Sequence, residues 1–450
     1  MSKGRVYLWT DAPGRGLYGH LTASVESLRH LDESARDGGG LSGRFVCVRN
    51  GGAVYVPDRV TNSEFTVTLG DARPDAGGDF LFEPGRGGGR IDKVRIAEAD
   101  FRWRYIQASR FGEVNTYFHL DRIATYIQGL VDQLGCAPLP RVTAVVTAHH
   151  AATEHDGLCD GVRGSNHWLP FQGGHYRLPS KRYELPEPHP ISPVGEIHLG
   201  PGWQLLEHGA LVEAAGGRYR ANASHNAGII YHEYGHHITR HTVDFCANNM
   251  VPPDQQNNRK TAMDEGTCDY WAATMLSTPH IWILHRRHDD QEIHVRSLTS
   301  RKTMTDYDAG ARADPHSNGT IWGAALWDLR TQMSALESDG TCKTDLLVLK
   351  ALLLMGKLTP RWQETTATNV QLARRNFDVG LTSLLLADEQ LNQGHNQKII
   401  LEIFTKRGIQ PAPRFRQGRH DELFLDTQIE PRLNAMKSNH GLQRESETQC

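Results

Sequence analysis

Residues 227–240 read Ala227-Gly228-Ile229-Ile230-Tyr231-His232-Glu233-Tyr234-Gly235-His236-His237-Ile238-Thr239-Arg240, and the reading of the whole chain turns on them. The apolar positions mark a buried helix, with Asn222 or Ser224 as its N-cap. His232 and His236 stand one turn apart, so their imidazoles share a face, with Glu233 beside them. Burying two imidazoles and a carboxylate without a partner is costly, and a metal ion removes that cost. The alternative is a polar helix face with two solvated histidines, which the surrounding Ile and Tyr side chains argue against. His-Glu-x-x-His is a zinc-binding pattern, and catalytic zinc takes three protein ligands and keeps a further position open.

The third ligand must come from elsewhere. One zinc class places a histidine six positions after the second, preceded by a glycine, but Thr242 and Thr239 occupy those positions here. His237 and His241 lie about 100° round the helix from the ligand pair, which assigns them to the surface or to a layer behind the ligands. Asp244 is one carboxylate candidate. Glu265 is preferred because it opens a second helical run, with Tyr270, Trp271, Met275 and Leu276 ended by Pro279. Asp269 falls one turn after Glu265 on the same face. A zinc-bound histidine normally gives its other N–H to a carboxylate, and Asp269 suits that task; otherwise it is a surface acid.

The pair formed by His232–His236 and Glu265-Gly266-Thr267-Cys268-Asp269-Tyr270 resembles the thermolysin-like zinc peptidases, the fungalysin branch most closely. A third block, His316-Ser317-Asn318-Gly319-Thr320-Ile321-Trp322-Gly323-Ala324-Ala325-Leu326-Trp327-Asp328-Leu329-Arg330, is similar to a fungalysin motif. Tyr117–Arg122 and the stretch from Leu386 to Gly408 extend the resemblance over about residues 101–410. It implies a zinc metalloendopeptidase acting on peptide or protein substrates. Glu233 is then the general base, because it points about 100° away from the ligand face. His316 is the oxyanion donor, in either protonation state, rather than a helix-terminal residue capped by Asn318. Asn166 in Ser165-Asn166-His167-Trp168 matches an asparagine that holds substrate backbone. No tyrosine lies between His236 and Glu265, where the family keeps an oxyanion tyrosine, and Tyr307 is the substitute candidate. A narrow-specificity zinc amidase or maturation peptidase, or a non-catalytic binding protein on the same fold, are the alternatives.

The fold class that follows is α+β. A β-rich N-terminal region and linker spans 1–91, and a mixed α/β subdomain ending in the zinc helix spans 92–245. A mainly helical subdomain follows at 246–410, with a mobile tail at 411–450. Short alternating runs such as Phe45–Val48 and Phe65–Leu69, split by glycines, read as strands. Glu113–Leu134 reads as an amphipathic helix closed by Gly135, Arg141–Thr147 and Gly195–Leu199 as strands, and His149–Pro193 as irregular. Helices are expected around Trp322–Leu336, Leu346–Met355 and Val370–Leu391.

Composition narrows the function classes. Net charge is −3 with acids and bases interleaved, so no basic face points to nucleic acid. No stretch approaches the roughly 20 apolar residues of a membrane span. Seven cysteines form no C-x-x-C pair and read as reduced thiols; Cys268, beside the site, is either a redox-sensitive thiol or an inert apolar filler. Secreted fungalysins open with a signal peptide and pro-segment, whereas this chain opens Met1-Ser2-Lys3-Gly4-Arg5 without an apolar leader. The expectation is therefore a cytoplasmic protein, with a secreted protein given an incomplete N-terminus as the alternative.

Overall fold

The computed structural model describes residues 1–10, 20–36, 38–57, 64–84, 98–151, 168–170, 173–179, 190–201, 204–207, 210–213, 222–246, 248–256, 258, 260–281, 296–310, 313–358 and 369–412. The expected tail from 413 onward lies outside them, as does Asn166. The N-terminal part supplies β1 (Lys3–Thr10), β2 (His20–Ser27), α1 (Glu33–Arg36), β3 (Leu41–Ser42), β4 (Val46–Asn50), β5 (Ala53–Pro57) and β6 (Glu64–Thr68). Helix α2 (Glu98–Gln133) leads to β7 (Val142–Val146), β8 (His149–Ala151), β9 (Trp168–Pro170), β10 (Gly174–Arg177), β11 (Glu196–Leu199), β12 (Gln204–Glu207) and β13 (Ala210–Glu213). Helices α3 (Ala227–Arg240), α4 (Ala262–Leu276), α5 (Pro315–Leu336), α6 (Gly340–Leu358), α7 (Asn369–Asn392) and α8 (Gln397–Lys406) complete the chain. This is the mixed α/β architecture expected, β-rich first and helical last.

The central sheet runs in the order β10-β11-β7-β4-β3. Its inner strands β11, β7 and β4 are parallel, and the edges β10 and β3 are antiparallel. The short buried run Val142–Val146 fits a strand flanked on both sides. Strand β4 belongs to this sheet, so part of the N-terminal β-region joins the sheet that carries the site. Three short strands, β8 to β10, fall in the stretch read as irregular. At three or four residues each they are too short to show an alternating pattern amid His and Pro.

Helix α2 begins at Glu98, ahead of the Glu113 read from periodicity, and ends where Gly135 takes a φ of +62°. Its buried face, with Val114, Tyr117, Leu120, Ile127 and Leu130, joins the core beneath the sheet. His119 locks α2 to its neighbours: its Nε2–H donates to the Tyr7 carbonyl (2.9 Å) and its Nδ1 accepts from the Tyr231 hydroxyl (2.7 Å). The helical part has its own buried hub at Asp345, which accepts from the hydroxyls of Tyr126 on α2 and Tyr270 on α4 and pairs with Arg330 on α5 at 3.1 Å. Among the described residues, no helix is long and apolar enough to cross a membrane.

Candidate metal centre

Helix α3 is buried along its whole length. Its N-cap is Asn226, whose side chain accepts from the N–H groups of Gly228 (2.9 Å) and Ile229 (3.3 Å). Asn222, the cap expected from sequence, instead caps the short 3₁₀ turn Ala223–His225 just upstream. The next helix, α4, is capped by Thr261 and ends before Ser277, which adopts a φ of +55°. Helix α5 is capped by Asp314. Asn318, read as an alternative cap, instead exchanges hydrogen bonds with the backbone of Asp308.

Three glycine contacts bring these helices together. A Cβ on Gly235 of α3 would stand 2.7 Å from the Cys268 Cα on α4. One on Gly266 would stand 2.2 Å from the Gly319 carbonyl oxygen on α5, and one on Gly323 would stand 2.6 Å from the Gly266 carbonyl oxygen. Only glycine allows such backbone approach. The sequence reading assigned these glycines no role.

The approach places the predicted side chains around one point. Glu265 Oε2 lies 3.0 Å from His232 Nε2, 3.7 Å from His236 Nε2 and 3.1 Å from His316 Nε2. Despite these short distances, that oxygen is buried and makes no hydrogen bond. Atoms that crowd together without bonding one another share a target. A tetrahedral site with bonds of about 2.0–2.2 Å has ligand–ligand edges of about 3.3–3.6 Å, which the 3.0 and 3.7 Å separations bracket. The residues present therefore fit a zinc ion. His232, Glu265 and His316 form one group able to hold a cation, and His232, His236 and Cys268 form a second.

Behind these side chains, carboxylates fix the imidazoles. Asp269 Oδ1 accepts from His232 Nδ1 (2.7 Å), as the spacing predicted. Asp264 does the same for His236 (3.1 Å) and also accepts from the Thr239 hydroxyl (2.7 Å). The Nδ1–H of each imidazole is thus committed to a carboxylate, which leaves Nε2 directed at the central point. Asp264 was not foreseen, although its position next to Glu265 at the start of α4 was a usable signal. Arg296 donates to Asp269 Oδ2 (2.7 Å); it approaches from a distant loop, and no local pattern announces it.

The electrostatics of the cluster suit a cation. Burial alone would raise the Glu265 carboxyl, but the imidazoles of His236, His316 and His232 outweigh it and hold the group well below the usual range. Burial works against a charged His232, yet the hydrogen bond to Asp269 and the nearby Glu265 carboxylate push it up to about 10. Burial pushes the Cys268 thiol well up, with Asp264 and Glu265 adding to it. That thiol is free, 3.1 Å from His236 Nδ1, and is held neutral.

Other candidates fall outside this cluster. His237 is fully buried rather than at the surface, donates to the Pro140 carbonyl (2.9 Å), and has its basicity lowered to about 4 by burial. His241 reaches the Val194 carbonyl at 3.1 Å. Asp244 pairs with Arg240 at 3.2 Å and accepts from the Asn249 N–H. Tyr307 stands edge-on to Phe377 in the helical core. His316 joins the cluster, its Nε2 3.1 Å from Glu265 Oε2, and is oriented by Asp314, 2.8 Å from its Nδ1.

The model of the family described as "Fungalysin metallopeptidase (M36)" matches residues 3–411. Among curated proteins, the chain is similar to "Probable extracellular metalloproteinase 4" of Arthroderma benhamiae. The two are 26% identical over 217 residues, which is 43% of this chain and 31% of that protein. It is also similar to "Extracellular metalloproteinase MEP" of Fusarium vanettenii, at 21% identity over 215 residues, 46% of this chain and 33% of that protein. The chain thus matches about a third of the length of these relatives.

Proposed function

The chain belongs to the fungalysin metallopeptidases, and from that premise we propose that it is a zinc-dependent metalloendopeptidase acting on peptide or protein substrates. His232, His236 and Glu265 are the ligands, Glu233 the general base and His316 the oxyanion donor. One observation carries the reading: Glu265 Oε2 is buried among three imidazole nitrogens and bonded to none. A zinc ion held there supplies Lewis acidity for the scissile carbonyl, worth several kcal/mol.

The remaining chemistry falls to the chain's own side chains. Glu233 Oε2 is buried without a hydrogen-bond partner, so it is free to take a proton from the attacking water and pass it to the leaving amine. Its side chain packs against Gly174 of β10, where a Cβ would stand 2.8 Å from Glu233 Cγ. Since β10 is an edge strand, a peptide added along it passes directly over the general base. Asn166 retains a proposed part in holding the substrate backbone. His316 donates its Nδ1–H to Asp314, so its Nε2 carries a proton only in the imidazolium form. The protonated ring is therefore the oxyanion donor, which narrows the expectation that either form would serve.

The same reading divides the peptidase at residues 92–245 and 246–410, with 1–91 ahead of it. Both relatives are named extracellular. We take that compartment, the alternative in the sequence reading, in place of the cytoplasmic expectation, which the comparisons do not support.

The test is Glu233→Gln. The near-isosteric change keeps the ligands, so zinc content should match wild type while peptide hydrolysis falls about 10²–10⁴-fold. A zinc-loaded wild type that cuts no peptide, or a variant as active as wild type, overturns the reading.

A further inference from the structure

Beyond His236, the metal helix and the end of the edge strand enclose a half-open cavity whose lining includes Tyr176, Leu178, His236, Arg240, Lys260 and Asp264. Its acids are already engaged. Asp264 accepts from His236 and Thr239, and Asp244, also in the lining, accepts from Arg240 and the Asn249 N–H. Of its cations, Arg240 already pairs with Asp244 and donates to the Asn249 side chain, and only Lys260 is left without a carboxylate among the described residues. The Lys260 ammonium sits 5.2 Å over the Tyr176 ring, and among the described residues no carboxylate comes within ion-pair distance of it. Arg240 is 7% exposed, and its Nε is buried with no hydrogen-bond partner. An ammonium that lines a cavity with no carboxylate beside it calls for an acceptor from outside.

The edge strand says which part of a ligand arrives there. The Gly173 carbonyl accepts from the Gly200 N–H at 2.9 Å. By alternation Gly174 and Tyr176 turn their peptide groups to the other side, where no described strand pairs with β10. At Leu178 that side is closed by Asn258, which bonds both backbone groups at 2.7 and 3.2 Å. A peptide lying along the edge therefore crosses Glu233 at Gly174. It meets the cavity at Tyr176, two residues or about 7 Å further along.

We propose that this cavity is a specificity subsite for an acidic side chain, Asp or Glu, about two residues from the bond that is cut, its carboxylate received by Lys260. The assignment rests on the peptidase reading above and adds a preference to it. The experiment uses peptides that differ only in Glu against Gln at positions two residues to either side of the cleaved bond. Wild type should favour the Glu peptide about tenfold in kcat/KM, the scale of a charge-assisted contact in a part-wet site. Lys260→Ala should bring the Glu-over-Gln ratio to about one, and Lys260→Arg should restore it. Equal cleavage of Glu and Gln peptides by wild type overturns the subsite and leaves the peptidase standing. Should wild type cut neither, the peptidase reading fails, and binding of the same labelled peptides to Glu233→Gln protein, read by fluorescence anisotropy, decides the subsite. A tenfold Glu preference that Lys260→Ala abolishes supports it; no preference overturns it.

Discussion

Gly266 on α4 and Gly319 on α5 touch backbone to backbone, with room for no methyl group between them: a Cβ on Gly266 would stand 2.2 Å from the Gly319 carbonyl oxygen. The contact sits one residue from Glu265 and three from His316, the pair whose side chains meet at 3.1 Å. Helix spacing and site geometry are therefore set by the same atoms.

Gly319→Ala should separate the two helices. Its Cβ would stand 2.5 Å from the Ala262 carbonyl oxygen and 2.8 Å from the Gly266 N–H nitrogen, both backbone atoms that cannot swing away. Overpacking of this kind costs about 1–3 kcal/mol, and moving α5 lengthens the His316–Glu265 approach. Urea denaturation should show the loss, and hydrolysis should fall further than the stability loss alone explains. The control is Gly129→Ala in α2, where a Cβ meets nothing within 4 Å. That change should stabilise by about 0.4–1 kcal/mol.

The legible parts of this molecule were those governed by local pattern. His232, His236, Glu265 and Asp269 were placed from one-turn spacings, and the structure brings all four together. Helices α4 to α7 and the strands β7 and β11 followed from periodicity and breakers. What escaped was set by contacts distant in sequence. Asn226 rather than Asn222 caps α3 because the chain first makes a 3₁₀ turn, which no apolar period reveals. For His237 the helical wheel left open the surface or a layer behind the ligand pair; it is buried, because sheet strand β10 covers that side and Tyr176 packs on it. Arg296 reaches Asp269 across 27 residues of chain.

Metal affinity should depend on both supporting carboxylates. Asp269 holds His232 and Asp264 holds His236, each at Nδ1. Removing such a partner typically weakens metal binding about 10–100-fold. Asp264→Ala and Asp269→Ala should each do so in a competition assay with a chromophoric chelator. An Asp264→Ala protein that holds zinc as tightly as wild type would make that carboxylate a mere helix-terminal acid.

Stability should fall as pH rises from about 6.5 to 8, because of Glu113. Burial raises its carboxyl to about 8, against the opposing effect of hydrogen bonds from Ala72 N–H and the Asn50 amide. The folded state thus keeps a proton that the unfolded state has lost, so the contribution is full below the ordinary value near 4.5 and vanishes through 8. Buried His119, His225 and His237 act in the opposite direction, but only below about 6.5, where the unfolded histidines take up protons. Between 6.5 and 8 the Glu113 share of the slope should approach at most about 1.4 kcal/mol per pH unit, with the raised His232 adding in the same direction when no metal is bound. Glu113→Gln should flatten it in urea titrations at pH 6.5, 7.2 and 8.

Zinc binding should release a proton. In the metal-free protein, the hydrogen bond to Asp269 and the nearby Glu265 carboxylate overcome burial and hold His232 protonated up to about pH 10. A cation can use the Nε2 lone pair only after that proton leaves, so metal and proton compete for one site. Affinity should rise about tenfold per pH unit between pH 6 and 8, the signature of one displaced proton. Isothermal titration in two buffers of different ionisation enthalpy counts the released proton directly. Asp269→Asn removes the charge that favours protonated His232, so in that variant the pH slope should become shallower even as affinity at high pH declines. A wild-type affinity flat across this range would mean that His232 is already neutral and that the cluster is not poised as described.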